Sequence, residues 1–510
     1  MKTIYQMFET TVERHGDKAL TIEPDGRRLS YAAVHELTER LAGTLTALGV
    51  EPGDRVAAKV EKLPEVIALY LATLRVGAIY LPLNTAYTGS ELQYFIEDAR
   101  PTVFVCNPGE EDQLAEGSPG SVSFVSMGPR GTGTLFEQGD SRPAEPVVVE
   151  LDAPAAILYT SGTTGRSKGA VLTHRNLASN CATLTEAWQY THDDVLIHAL
   201  PIFHIHGLFV AVNMSVTTGA TMHFLPKLDP QAIVDLMPES TVLMGVPTFY
   251  TRLLGRPGVT AETTRNMRLF VSGSAPLTAE THHEWRVRTG HAILERYGMT
   301  ETGMMCSNPY DGERKAGTVG PPLPGISIRV VERETNTELP AGEVGSIQVS
   351  GPNVFREYWN KPEKTAEEFT DDGYFITGDL GVIDDAGYLS IVGRDKDLII
   401  SGGFNVYPKE IEELIDEHPS VRESAVVGVP HPDLGEAPIA VVVPHDDASV
   451  DPEEILGSIR PHLARFKQPR AVRFSDELPR NVMGKVQKAQ LRHEHAGLFQ
   501  QQQTPAGPKS

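Results

Sequence analysis

Apolar runs of two kinds take turns along most of this 510-residue chain, and that alternation limits the folds open to it. Residues 64–74 carry apolar side chains at helical spacing until Gly77 stops the pattern, and Ile79-Tyr-Leu-Pro-Leu83 then reads as a short strand. The succession recurs downstream. A strand is expected over 155–159, a helix over 173–189, strands near 195–200 and 241–245, and a helix opening after Pro247. A strand at 268–272, a helix at 277–289 and a strand at 291–295 complete the run. Strands separated by helices predict mostly parallel sheets with both faces covered.

The rhythm changes twice. Residues 107–147, rich in Gly, Pro, Ser and acids, predict a surface excursion, and turn-rich short strands over 318–393 predict a small antiparallel barrel or sheet. A new α+β pattern begins beyond Gly393-Arg-Asp-Lys-Asp397, with helices at 408–417 and 451–464 and strands at 424–429, 438–443 and 471–475. The chain is also longer than one hydrophobic core supports. The expected architecture is therefore a large α/β N-terminal domain, 1–393, made of helix-covered parallel sheets plus a small β-subdomain. A small α+β C-terminal domain, 394–498, and a disordered tail, 499–510, follow.

A net charge of −22 argues against nucleic-acid and anionic-membrane partners. Cys106, Cys181 and Cys306 are far apart and lack CxxC spacing, which fits a reducing compartment rather than a disulfide scaffold. With no apolar stretch of signal-peptide or membrane-spanning length, a cytoplasmic location is expected.

Chemistry concentrates in a few stretches. Tyr159-Thr-Ser-Gly-Thr-Thr-Gly-Arg-Ser-Lys-Gly169 packs glycines, hydroxyls and a lysine behind the 155–159 strand, a composition suited to holding polyphosphate. It lacks the GxxxxGK[ST] order of the Walker loop. Arg296-Tyr-Gly-Met-Thr-Glu-Thr302 sets a carboxylate among hydroxyls after a strand, and Tyr374-Phe-Ile-Thr-Gly-Asp379 ends a strand in an aspartate. Read alone, each acid is an ordinary surface or turn residue.

Together these stretches resemble the adenylate-forming superfamily of acyl-CoA synthetases, luciferases and peptide-synthetase adenylation domains. Six motifs stand in that superfamily's order between 159 and 485. Ser167 departs from the pattern, where a proline commonly precedes the lysine. The resemblance implies ATP, magnesium and coenzyme A as cofactors and co-substrates. Thr160, Ser161, Gly162, Thr163, Thr164, Gly165 and Lys168 would form the phosphate loop. Ser274, Ala275, Pro276, Tyr297, Gly298 and Thr300 would line the nucleotide and acyl sites. Glu301 would hold the metal, and Asp379 with Arg394 the ribose. The resemblance further makes the C-terminal domain a mobile lid swinging on Lys396. Lys485 would be the lysine inserted for adenylation, and Gly402-Gly403 a strand without side chains along which pantetheine passes. Related synthetases are controlled by acetylation of that lysine, so an acetyltransferase or deacetylase acting on Lys485 is an implied partner.

The combination FHxHG (203–207), VPTFYTR (246–252), SGSAPL and RYGMTETxM resembles malonyl-CoA synthetases in particular. That resemblance makes His204 a gate beside the reacting carboxylate. Ile205 and Met304 would flank the central carbon, and Arg252 would be the inward guanidinium paired with the carboxylate left free. The expected activity is ATP-dependent ligation of malonate, with methylmalonate weaker. The alternatives are a synthetase for another short acid, an adenylation enzyme loading a carrier protein, and a non-catalytic nucleotide-binding protein.

Overall fold

The computed structural model describes residues 1–116, 118–138, 145–160, 167–445, 450–481 and 484–499. The chain divides into two compact units: Met1–Ser327 with Val349–Phe375, and Ile328–Gln348 with the residues from Ile376 onward. This division falls earlier than the boundary expected at 393. The reason lies in local bonding: Lys409 Nζ donates to the Ile391 carbonyl at 2.8 Å, and Arg333 pairs with Asp395 at 2.6 Å.

Among the described residues, the larger unit holds sheets of eight and seven strands. The eight-stranded sheet runs Gly303–Ser307, Leu294–Met299, Leu269–Ser272, Val242–Gly245, Val195–His198, Thr221–Phe224, Ala19–Ile22, Arg28–Ser30. All its inner pairings are parallel and only the two outer ones antiparallel. The seven-stranded sheet has parallel neighbours from Pro154–Thr160 through Ile79–Pro82, Arg55–Lys59 and Val103–Cys106 to Ser123–Ser126. That last strand lies inside the stretch expected to be a surface excursion. Its residues Ser-Phe-Val-Ser are short and flanked by glycine-rich turns, which masked it.

The helices start where their sequence allows. Thr173 and Asn176 form a reciprocal cap on His174–Ala187, and proline opens Pro64–Arg75, Pro247–Leu254 and Pro408–Asp416 at a position where its missing N–H costs nothing. Trp188, Trp285, Tyr70, Tyr80 and Tyr250 are wholly buried in this unit. No described helix is long and apolar enough to cross a membrane, and the three cysteines are buried and free.

In the C-terminal unit, Phe375–Ile383 pairs antiparallel with Leu389–Arg394 in a four-stranded sheet. A second sheet is built on the long hairpin of Val421–His431 with Gly435–Pro444. Its alternation sends Val426, Ala440 and Val442 against helices Pro408–Asp416 and Pro452–Ile459, and Val427, Ile439 and Val441 against Leu478 and Leu491. Phe499, expected in the loose tail, packs against that second face beside His431.

Candidate active site

The glycine-rich stretch connects two antiparallel strands. Pro154–Thr160 pairs with Lys168–Thr173 and sets Thr160 opposite Lys168, so a strand, not a helix, follows the connection. Ser161, Gly162, Thr163, Thr164 and Gly165 lie outside the described residues. Lys168 Nζ meets Glu368 Oε1 at 2.8 Å and stands 4.1 Å from the centre of the Tyr358 ring. The Tyr358 hydroxyl lies 2.7 Å from Glu368 Oε2 and 3.0 Å from Glu301 Oε1, so its one proton is shared between two carboxylates. Thr160 Oγ1 approaches the same Glu301 oxygen at 3.4 Å.

Glu301 sits in the turn between Leu294–Met299 and Gly303–Ser307. The turn is fixed from outside: the Phe355 N–H donates to the Glu301 carbonyl at 2.6 Å, and the Asn353 amide to the Thr302 carbonyl at 2.6 Å. Burial raises the Glu301 carboxyl, against hydrogen bonds from its own backbone N–H and from Tyr358. Burial pushes Glu368 upward as well, but hydrogen bonds from Lys168 and Tyr358 outweigh it and the net shift is down. Two adjacent carboxylates and a lysine that can exchange one anion for another suit a divalent cation with bound phosphate. Lys168 and Glu301 stand in sequence motifs; Tyr358 and Glu368 do not. Their local sequence carries no signal, and only the pairing of Glu357–Tyr358 with Lys168–Thr173 brings them in.

A buried cation stands on Leu294–Met299, the strand that leads into the Glu301 turn. Leu269–Ser272 runs into Gly273 and Ser274, and Ser274 adopts φ 70°, a left-handed conformation uncommon for a residue with a side chain. Gly273 is required here, because a β-carbon would stand 2.5 Å from Arg296 Cζ. Arg296 is 3% exposed, its terminal nitrogen is 3.3 Å from Ser274 Oγ, and its Nε has no hydrogen-bond partner. No carboxylate among the described residues pairs with it. Burial pulls its pKa down, to about 9, so the guanidinium is charged at neutral pH without a counterion. A buried charge in that state costs several kcal/mol.

Arg252, expected to supply this charge, is exposed in this structure. The inward face of Pro247–Leu254 is taken by Phe249, Tyr250, Leu253 and Leu254, which leaves Arg252 exposed. Two arginines of the unit are buried, Arg75 and Arg296; Arg75 faces Glu9 and Glu39, and Arg296 has no described carboxylate partner.

His204 is half-buried and its Nδ1 accepts the His206 backbone N–H at 3.3 Å. A widened helical stretch, His206–Val212, follows, a form that often marks functional sites. His206 is wholly buried with neither ring nitrogen hydrogen-bonded, and burial, then Arg296, lowers its pKa. Ile205, Tyr297 and Met304 are buried, and Gly298 admits Met304, whose Cε would lie 2.7 Å from an added β-carbon. Thr300, Ala275 and Gly298 are half-buried and Pro276 is exposed.

Within the C-terminal unit, Asp379 and Arg394 face each other across paired strands, with Arg394 Nε 3.0 Å from Asp379 Oδ1. Lys396 is exposed on the turn Asp395–Asp397. Gly402 and Gly403, expected as a strand, are the two turn residues of a hairpin that pairs Ser401 with Phe404, and both have positive φ (60° and 82°). Such two-residue turns demand that conformation twice, which explains the glycine pair. Lys485 is exposed, and its backbone exchanges hydrogen bonds with Asn481: Lys485 N–H to Asn481 Oδ1 and Asn481 N–H to the Lys485 carbonyl, both at 3.0 Å.

The fold and these motifs define a class. The AMP-binding enzyme family model matches residues 8–359, and the AMP-binding enzyme C-terminal domain model matches 410–485. The chain belongs to the AMP-binding enzyme family. Within it, the chain is 37% identical to the malonate–CoA ligase of Arabidopsis thaliana, over 93% of this chain and 86% of that protein. It is 35% identical to a feruloyl-CoA synthase of an Amycolatopsis species, over 94% of this chain and 95% of that one. The ATP-bound crystal structure of MatB from Rhodopseudomonas palustris superposes with a TM-score of 0.94 at 54% identity, over 98% of this chain and all of that one.

Proposed function

We propose that this enzyme joins malonate to coenzyme A using ATP, through a malonyl-adenylate, with release of pyrophosphate and then AMP. The observation that carries the choice of acid is Arg296. A buried guanidinium beside Ser274, with no counterion among the described residues, suits an acid that brings a second carboxylate, and its forked donors would fix which end stays free. An alkyl chain against Arg296 would leave the charge uncompensated. Similarity to malonate–CoA ligases supports the same reading.

In the first half-reaction a malonate carboxylate oxygen attacks the α-phosphorus of ATP, and the bond to pyrophosphate breaks. Lys168 leaves Glu368 for the phosphates and offsets the charge that spreads over their oxygens. Glu301 and Glu368 would hold magnesium, which supplies charge neutralisation on the triphosphate. In the second, the coenzyme A sulfur attacks the acyl carbon and the bond to AMP breaks. By family resemblance Lys485 serves the first step, the Gly402-Gly403 turn the second, and rotation about Lys396 exchanges them. Acetylation of the exposed Lys485 would remove its charge and stop the first step.

The test is coenzyme A-dependent AMP production with malonate, methylmalonate, acetate and a medium-chain acid side by side. Malonate should lead and methylmalonate follow within roughly 10- to 200-fold, the usual reach of one methylene. Preference for acetate or the medium-chain acid would overturn the assignment.

A further inference from the structure

A cavity of about 100 Å³ opens at the C-terminal ends of strands from both sheets of the larger unit, where ligands of doubly wound folds enter. Val60, Leu83, Ile202 and Phe203 give it apolar walls, and one carboxylate, Glu61, and one amine, Lys62, also line it. Lys62 Nζ lies 2.8 Å from His198 Nδ1, 2.8 Å from the His198 carbonyl oxygen and 4.5 Å from the centre of the Phe224 ring. No described carboxylate pairs with it. Burial alone carries its pKa well below the ordinary lysine value, although the residue is only half-buried.

His198 fixes the chemistry of that amine. Its Nε2 lies 2.9 Å from the Gly207 carbonyl oxygen, so Nε2 carries the proton and Nδ1 is an acceptor. His198 thus offers two acceptors, Nδ1 and its carbonyl oxygen, which would take both hydrogens of the deprotonated amine and leave its lone pair for the space beside it. The chain that forms the opposite wall, Pro201–Phe203, leads directly into His204.

We propose that this cavity receives the thiol end of coenzyme A and that the Lys62 amine takes the thiol proton. The inference rests on the ligase reading above. The space is too small for a nucleotide, and its single amine offers a phosphate none of the multiple N–H donors such groups require. A two-carbon thiol tip fits both its size and its apolar walls. The thiolate, not the thiol, is the nucleophile. The S–H proton moves to Lys62 Nζ and the sulfur lone pair forms the S–C bond. The C–O bond to the phosphate breaks with its electron pair leaving on AMP. Lys62 then returns the proton to solvent.

Two half-reactions are measured separately for the parent enzyme, Lys62→Met and Lys62→Arg. One is malonate-dependent exchange of pyrophosphate into ATP, the other thioester formation from supplied malonyl-adenylate and coenzyme A, followed over about pH 6 to 9. Both variants should exchange pyrophosphate within about twofold of the parent. Thioester formation should fall roughly 100-fold or more near neutral pH and recover as pH rises toward the thiol's own pKa. Arginine keeps a positive charge but does not release its proton, so a parent-like thioester rate in Lys62→Arg would overturn proton transfer. Equal loss of both half-reactions in both variants would overturn it too, by marking Lys62 as a support for His198. Failure of the ligase reading shows separately, as a parent enzyme that exchanges no pyrophosphate with malonate.

Discussion

A guanidinium held almost out of water with no described carboxylate beside it is costly until a carboxylate arrives. Replacing Arg296 by leucine removes that charge and the second-carboxylate contact together. Loss of a buried charge pair of this kind is worth about 2–4 kcal/mol, so kcat/KM for malonate should fall roughly 30- to 1,000-fold, with acetate little affected or improved. Arg252→Ala, on the exposed face of its helix, should cost less. Steady-state kinetics with both acids decide this, and a larger loss at 252 than at 296 would return the selecting role to Arg252. The sequence made the position of Arg296 legible but not its burial. Helical spacing cannot say which way residue 252 turns, and the clue to 296 lay on another strand, in Gly273, whose missing side chain makes room for it. Lys168, Glu301, Asp379 and Arg394 were legible because motif order carries them. Tyr358 and Glu368 were not, since sheet pairing alone brings them to Lys168.

Hairpins are the elements that sequence periodicity reads least well. The polyphosphate stretch and Gly402-Gly403 both turned out to join antiparallel strands, because two-residue glycine turns and short strands leave too few residues for a period to show. Helices were read within a few residues, as in Pro64–Arg75, since a dozen positions repeat the pattern. One helix end carries a testable electrostatic fault. Asp416 is the last residue of Pro408–Asp416, where a negative charge opposes the helix dipole. Burial first, then Glu412 and Glu423, raise its carboxyl to about 7 from 3.8, despite a Ser424 hydrogen bond. Between those values the folded state holds a proton that the unfolded state has lost. Stability therefore declines as pH rises through this window, and the full penalty is present above about pH 7. Asp416→Asn should stabilise the C-terminal unit by about 1–2 kcal/mol near pH 8, after allowance for solvent screening, and by little near pH 5. Thermal melts at the two pH values check this, and an equal shift at both would remove the titration argument.

At the scale of the whole molecule, the order of two units and the class of each were legible, because one core cannot serve a chain of this length and a new α+β pattern begins beyond residue 393. The boundary was not, since the four-stranded sheet looks in sequence like an appendage of the larger unit yet bonds with the smaller. The family resemblance gives the smaller unit two alternate duties, and Lys485 separates them. Lys485→Ala removes one exposed side chain from a segment whose backbone is held by Asn481, so the unit should keep its fold. If the lysine stabilises only the charge that develops at the α-phosphorus, pyrophosphate exchange should fall roughly 100- to 1,000-fold, as when one preorganised donor is lost. Thioester formation from supplied malonyl-adenylate, which needs no such charge, should stay within about threefold of the parent. Both rates come from the same preparation, so a general loss of folded enzyme would lower them together. Equal loss would deny Lys485 a step-specific duty and leave the exchange of duties between the two half-reactions without a residue to carry it.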